Sequence, residues 1–330
     1  NRPAEDPAAC PEMRKAGRRA ASGRVEGRAL AVLPTRCIVN KAVLDHGRGG
    51  VRAIEVPHIP APEETLAATD LDQGLGGKGA NQSVAMVQAG ADVLHLGAVG
   101  RDGDWLLDRL GALGVARDSI VRLSCASGHA IITVAADGEN AITLFSGANT
   151  AMSEAQLTQW LAPIGAADWL VMQNETAHQL HAARMARAQA ARVVYSAAPF
   201  EAKAVAEVLP FVNILCANEH EVKALQQALR ISSLASLGLD GMLITYGAKG
   251  AAYHDFSADQ VFEVAGISVI PVDTTGAGDT FCGYFIGRLS LGDDPQTALS
   301  CANRAAALKV TRSGTADAIP NLQEVMEFAP

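Results

Sequence analysis

From Val51 onward the chain alternates short apolar runs with amphipathic helical stretches, and this rhythm restricts the fold more than any other feature. The run 93–99 precedes 105–113, Trp169–Gln173 precedes 176–190, and 193–197 precedes 202–209. Likewise 212–217 precedes Glu219–Leu229, and 242–246 adds a further run. Strands joined by helix-length connections pair in parallel within one sheet, and the helices then cover its faces. The expected class is α/β, a three-layer α/β/α arrangement with a mostly parallel central sheet. Two helices, 277–289 and 295–311, close the chain, the second with Pro295 in its first turn. One segment breaks the rhythm: 129–136 and Asn140–Phe145 alternate around Asp137-Gly138, the pattern of a β-hairpin. With 51–68 this hairpin is expected to form a small sheet beside the main one. No internal repeat and no Pro- or Ser-rich linker divides the chain, so residues 29–330 read as one domain.

Composition narrows the function classes. The 330 residues are 49% hydrophobic and 19% charged, ample for a buried core. A net charge of −8 with 5% aromatic residues argues against a nucleic-acid or anionic-membrane surface. Apolar stretches such as 130–136 fall far short of the roughly 20 residues that span a bilayer. Six cysteines, Cys10, Cys37, Cys125, Cys216, Cys282 and Cys301, lack C-x-x-C spacing, which points away from a zinc ribbon or disulfide framework and toward the reducing cytoplasm. The first 28 residues stand apart, with six Arg and one Lys against four acids and no apolar core of a secretory signal. They read as a disordered extension. The stretch 29–33 has strand character, but Pro34 and the glycines at 47, 49 and 50 interrupt any simple pattern.

Two glycine clusters carry the chemistry. In Gly74-Leu75-Gly76-Gly77-Lys78-Gly79-Ala80-Asn81-Gln82, the glycines at 74, 76 and 79 formally satisfy the dinucleotide-binding pattern. That pattern needs a buried strand before it and an acid about 20 residues after it. Asp70-Leu71-Asp72-Gln73 makes a poor buried strand, and Asp92 comes only 13 residues after Gly79. Nicotinamide binding is therefore set aside, and a P-loop fails because Gly79 replaces Ser or Thr. Two readings remain: a glycine turn capping the helix 80–88, or a cradle in which glycines admit a substrate to the backbone. In the cradle Lys78 supplies a cation, and Asn81 a donor and acceptor for hydroxyls.

The second cluster, Val272-Asp273-Thr274-Thr275-Gly276-Ala277-Gly278-Asp279-Thr280-Phe281, leads into a helix. Unpaired N–H groups and the helix dipole make such a start an anion site, and small residues at 276–278 leave it uncovered. Asp279 then either caps the helix or accepts the proton of a hydroxyl attacking a phosphate. A carboxylate with a reference pKa of about 3.9 is a feeble base toward an alcohol. Phosphoryl transfer tolerates this, because its loose transition state asks for positioning more than early deprotonation.

Together the clusters, in this order and about 200 residues apart, resemble the two signatures of the PfkB carbohydrate kinases, in particular its ribokinase branch, over about 51–325. The resemblance implies a ribokinase-like fold with a lid from 51–68 and 129–145 that shuts out water. It implies transfer of the γ-phosphoryl of ATP, with Mg²⁺ on the phosphates, to a hydroxyl of a small sugar, D-ribose to ribose 5-phosphate first among them. Another furanose, a keto-sugar or a nucleoside stays open, as does a weakly active sugar- or nucleotide-binding protein of the same fold. By the same likeness Asp279 is the catalytic base, and the N–H groups of Gly276, Ala277 and Gly278 are the anion hole. Gly77, Lys78 and Asn81 match positions that hold sugar hydroxyls, and Glu175, in Met172-Gln173-Asn174-Glu175-Thr176, matches a sugar-binding glutamate.

The run Ala217-Asn218-Glu219-His220-Glu221 resembles an element in which Asn218 contacts the ATP phosphates and Glu221 organises Mg²⁺ through water. A solvated helix start is the plainer reading of those acids. Thr245, Gly247 and Gly250 match the turn under the nucleotide, and Asn303 an adenine-side contact. A monovalent cation, K⁺, beside the anion hole would use Asp273, Thr275, Lys309, Arg312 and Gly314, largely through carbonyls, while Ala318 replaces the more usual Ser. Lids that pair between subunits imply a homodimer. The chain departs from the family upstream: ribokinases end their first strand in Asn-x-Asp, whereas here Asn40 and Asp45 are five apart. His178 and His181, three apart on an expected helix, read as solvated, and Cys282 as a buried, inert thiol.

Overall fold

The structure, a computed structural model, describes residues 36–40, 51–137 and 139–329. The chain divides into two units, Asn1–Pro34 and Thr35–Pro330, and every described residue belongs to the second. The expected extension at 1–28, the run 29–33, Asp45, and Gly138 of the hairpin turn lie outside the described residues. Strands β1 (Arg36–Asn40), β2 (Val51–Val56) and β3 (Asp70–Gly74) lead to helix α1 (Lys78–Gln88). There follow β4 (Asp92–Val99), α2 (Asp104–Ala112), β5 (Ile120–Arg122), β6 (His129–Ala135), β7 (Asn140–Phe145) and α3 (Glu154–Leu161). The regular alternation then runs through β8 (Trp169–Gln173), α4 (Gln179–Ala188), β9 (Arg192–Ser196), α5 (Ala202–Val208), β10 (Ile214–Asn218), α6 (Glu219–Leu229) and β11 (Gly241–Thr245). Strands β12 (Gly250–Asp255) and β13 (Gln260–Ala265) precede α7 (Ala277–Ser290), α8 (Pro295–Lys309) and α9 (Leu322–Glu327).

The main sheet has nine strands in the order β13-β12-β11-β10-β9-β8-β1-β4-β5. It is parallel from β11 to β5, with β12 and β13 added antiparallel at one edge. Because strand side chains alternate in direction, a sheet covered on both faces feeds two cores. Trp169 and Val171 of β8 pack with Leu106 of α2, Phe285 of α7, Leu299 of α8 and Val325 of α9. Leu170 and Met172 face the other way, toward Leu157 of α3, Ala186 of α4, Val205 of α5 and Leu225 of α6. Ile214 and Leu215 of β10 split in the same manner. This is the three-layer α/β/α arrangement that the alternation implied.

A separate four-stranded sheet runs β3-β2-β6-β7. The hairpin β6–β7 is antiparallel, whereas β2 joins β6 in parallel. Of the stretch 51–68 only Val51–Val56 is strand, and the third partner is β3, whose Asp70–Gln73 are exposed on this small sheet. Leu71, Ile142, Leu144 and Phe145 are exposed there as well. Three other departures have physical causes. The central β1 arises where the sequence showed no clear element, because β4 and β8 pair it from both sides. Helix α4 begins at Gln179 rather than 176, since the chain first makes a turn that ends with His178 at φ 59°. The β12–β13 hairpin carries little sequence signal, because β13 is a half-exposed edge strand with charged Glu263 among its apolar residues. Among the described residues no helix is long and apolar enough to cross a membrane.

Candidate active site

Parallel strands deliver their carboxyl ends to one rim, where clefts form in α/β sheets. Residues from the ends of β9, β10 and β11 and from the starts of α1, α6 and α7 line a cavity of about 180 Å³. Among them are Lys78, Asn218, Glu221, Thr245, Gly276, Gly278 and Asp279. The two glycine clusters, distant in sequence, therefore meet.

Helix α7 starts at Gly276 with φ 77° and no side-chain cap. A Cβ at Gly276 would stand 3.2 Å from Asn81 Nδ2, and positive φ is costly for any other residue. The Asp279 carboxylate is turned to α1: Asn81 Nδ2 donates to its Oδ2 at 2.9 Å and Gln82 Nε2 to its Oδ1 at 3.1 Å. Gln82 Oε1 in turn accepts from Gln173 Nε2 at 2.6 Å, at the end of β8. Asn81, Gln82 and Gln173 are buried, so this chain fixes the orientation of Asp279. The contact requires a close approach of the helices, which Gly283 provides; a Cβ there would lie 2.5 Å from Ala85 Cβ and 2.7 Å from the Gln82 carbonyl oxygen. Gln82 and Gln173 are site residues that the sequence patterns do not mark, although they lie next to Asn81 and two residues from Glu175. Asn81 Oδ1 is buried without a partner among the described residues. Such an acceptor costs about 1–3 kcal/mol until a donor arrives.

Of the three amides expected to form an anion hole, that of Ala277 already donates to the Thr274 carbonyl at 3.2 Å. Those of Gly276 and Gly278 have no acceptor among the described residues, and nothing would crowd a Cβ at Gly278 within 4 Å. Lys78, the first residue of α1, is half-buried. Burial pulls its ammonium down, but the Asp279, Glu175 and Glu221 charges outweigh this and hold it above its ordinary pKa. Gly77 caps α1 beside it, and Glu175 sits in the turn after β8.

The nucleotide-side residues divide. Asn218 and Glu221 line the cavity and also form a capping box for α6. Asn218 Oδ1 accepts the Glu221 N–H at 2.9 Å, and Glu221 Oε2 accepts the Asn218 N–H at 2.8 Å. Thr245 ends β11 on the cavity wall, whereas Gly247, Gly250 and Asn303 stand away from that lining. Gly250 is required by the hairpin, since a Cβ would meet the Val264 carbonyl at 2.0 Å. Asn303 Nδ2 donates to the Ala265 carbonyl at 2.8 Å, tying α8 to the end of β13. Cys282 and Cys216 form part of the cavity floor; their mutual hydrogen bond, then burial, push the Cys282 thiol well above its usual pKa, which suits an inert thiol. His178 and His181 face Glu154 of α3, at 3.7 and 3.2 Å.

The residues expected around a monovalent cation do cluster, and the oxygens of Asp273 and the Lys309 carbonyl already accept hydrogen bonds. Asp273 Oδ1 accepts the Thr275 N–H at 2.8 Å and its Oδ2 the Gly314 N–H at 3.0 Å. Burial would raise its pKa, yet the hydrogen bonds from Thr275, the Lys309 charge and the Gly314 N–H keep it below the ordinary value. Arg312 is paired with Glu324, and its N–H donates to the Lys309 carbonyl at 3.0 Å. Lys309 itself is fully buried, and its Nζ donates to the Asp273 carbonyl at 3.0 Å. Burial draws this ammonium below its ordinary pKa, with Asp273 and Asp279 opposing. Upstream, Asn40 closes β1 opposite Met172, and the position two residues on is Ala42.

The description "pfkB family carbohydrate kinase" matches residues 51–322. The chain is 34% identical over 289 residues to a ribokinase of Haemophilus influenzae, covering 83% of this chain and 94% of that one. It is 30% identical over 286 residues to a deoxyribokinase of Salmonella typhi, covering 82% and 92%. Among solved structures, ribokinase from Cryptococcus neoformans in complex with ADP superposes with a TM-score of 0.74 at 30% identity, over 89% of this chain and 99% of that one. With both glycine signatures brought to one cavity and likeness running through nearly the whole described length, the chain belongs to the pfkB family of carbohydrate kinases.

Proposed function

We propose that the protein transfers the γ-phosphoryl of ATP to a hydroxyl of a pentose, with D-ribose, giving ribose 5-phosphate, as the foremost substrate. The observation that carries this reading is the Asp279 carboxylate, oriented by Asn81 and Gln82 at the head of a helix whose Gly276 and Gly278 amides have no acceptor among the described residues. Each Asp279 oxygen keeps a lone pair for the acceptor hydroxyl, so the carboxylate positions the nucleophile and takes its proton as the new P–O bond forms. The two amides and the dipole of α7 stabilise charge on the migrating phosphoryl group. Lys78, Glu175 and the unpartnered Asn81 Oδ1 hold and orient the sugar, with Gly77 allowing close approach.

On the nucleotide side, Asn218 offers its amide nitrogen to the phosphates, and Thr245, Gly247, Gly250 and Asn303 frame the nucleotide. Mg²⁺ fits this cleft, because it keeps most of its waters and Glu221 retains one carboxylate oxygen outside the capping box to meet it through water. Bound on the phosphates, the metal supplies charge neutralisation. K⁺ is left out of this reading, because the Lys309 ammonium already stands on the Asp273 carbonyl. The four-stranded sheet acts as a lid that shuts out water, within one domain spanning 29–330, and its exposed Ile142, Leu144 and Phe145 suit pairing with a second copy as a homodimer. The thiols of Cys216, Cys282 and Cys301 fit work in the cytoplasm.

A coupled ADP-release assay across D-ribose, 2-deoxyribose, other furanoses, keto-sugars and nucleosides tests the proposal, with ribose expected to give the highest kcat/KM. Full activity in Asp279→Asn would overturn the mechanism. A different acceptor is favoured by one observation, Ala42 standing where the family pattern has an acid, and preference for 2-deoxyribose or a nucleoside in the same screen would establish it. Sugar or ATP binding without turnover would support a binding protein instead.

A further inference from the structure

Potassium does not fit the cluster at the foot of the anion-binding turn, and the reason is Lys309. Its side chain is 0% exposed and ends on the backbone carbonyl of Asp273, one of the oxygens a cation would take. Of the other expected oxygens, both Asp273 carboxylate oxygens accept backbone N–H groups, the Lys309 carbonyl accepts that of Arg312 and Ala318 brings none, which leaves the Thr275, Arg312 and Gly314 carbonyls. A cation sharing the Asp273 carbonyl would stand a few ångströms from a buried ammonium. Repulsion between unit charges about 4 Å apart in a protein-like dielectric weakens binding about a thousandfold.

We propose that Lys309 is a tethered cation: its ammonium takes the place of a bound monovalent metal, holds the 273–276 turn in shape from within the chain, and makes turnover independent of added K⁺. The turn runs directly from Asp273 to Gly276, the residue that opens α7, so a positive charge on the Asp273 carbonyl acts on the loop that presents the amides. A lysine delivers that charge without a binding equilibrium. Lys309 is thus a positioning residue that works through Asp273. This inference rests on the kinase reading for its kinetic consequence, though not for its structural one.

The test uses the purified full chain in tetramethylammonium buffer at constant ionic strength. Sugar-dependent ADP release and the melting temperature are recorded as KCl, NaCl or CsCl replaces tetramethylammonium chloride. Wild type is expected to change by less than about twofold in rate, with a melting temperature that K⁺ leaves unmoved. Lys309→Ala, which vacates the position, should lose about tenfold or more without K⁺, regain most of it with K⁺, and melt higher in K⁺. Lys309→Met, of similar length but uncharged, should lose activity and not regain it, a pattern that a merely structural role does not produce. Activation of wild type by K⁺ of about fivefold or more, or K⁺-specific stabilisation of wild type, overturns the proposal, and either stands even if the variants fail to fold. Absence of turnover with every sugar in every salt would remove the kinase reading, while the melting comparison would still decide the tethered cation.

Discussion

Two helices begin at the same cleft with an acid in the first turn, and they use it in opposite ways. Helix α6 satisfies its own start: Asn218 caps it and Glu221 returns the bond, so both side chains are explained by helix formation before any ligand is considered. Helix α7 has no side-chain cap, starts from a positive-φ glycine, and sends Asp279 across to Asn81 and Gln82. An acid that stabilises its helix locally is needed by the fold. An acid that ignores the open amides beside it, and is held by a neighbouring helix, leaves those amides for something else. In the proposed mechanism the contrast makes α7 the reactive end and α6 the supporting one.

The largest effect should separate the two acids. Asp279→Asn is expected to lower kcat by about a thousandfold with little change in melting temperature, as removal of a general base does. Glu221→Gln should cost no more than about tenfold and show mainly as a higher Mg²⁺ requirement, read from initial rates across Mg²⁺ concentrations. Equal losses in the two variants would break the comparison. Next comes Gly276→Ala, where positive φ and the 3.2 Å approach to Asn81 oppose a methyl group. A loss of about 1–2 kcal/mol in stability and of about tenfold or more in kcat is expected, measured by urea unfolding and turnover.

For α6 the order reverses. Asn218→Ala should lower stability by about 1 kcal/mol through the lost cap, with a rise in KM for ATP and little change in kcat. An unchanged melting curve would mean that the capping box contributes nothing. The smallest effect concerns Asp273. Its carboxyl is held below the ordinary value, so its contribution to stability is present above the unfolded pKa, near 3.9, and is lost as pH falls through the lower folded value. Urea midpoints of wild type and Asp273→Asn should therefore differ most near neutrality and converge as pH drops below about 4.

Much of the site could be read from the sequence because its residues lie in short clusters with unusual composition. Lys78, Asn81 and Asp279 announce themselves beside glycines, and the structure brings Lys78 and Asp279 to one cavity with Asn81 hydrogen-bonded behind Asp279. Gln82 and Gln173 were harder to see, since a glutamine has no distinctive chemistry until a partner is known, and their partners lie 91 and 197 residues away. Gly250 and Asn303 show the converse difficulty, because each already has a packing role in the fold. The family pattern gives them a ligand-side role and the packing of β12, β13 and α8 gives them a structural one, so the residue type alone does not separate the two.

Alternation of apolar runs and amphipathic stretches determined the layered α/β/α class by itself, because periodicity is local and burial on two sheet faces follows from it. Glycine clusters likewise marked the two segments that the fold brings to one cavity. Only the tertiary structure decided that the few residues Arg36–Asn40 form a central strand, since strands on both sides supply the pairing that so short a segment cannot announce. It also decided that Lys309, indistinguishable in sequence from a solvated helix-end lysine, is buried against the Asp273 carbonyl. The burial and the partner of a charge are set by what folds around it, and that information is spread over the whole chain.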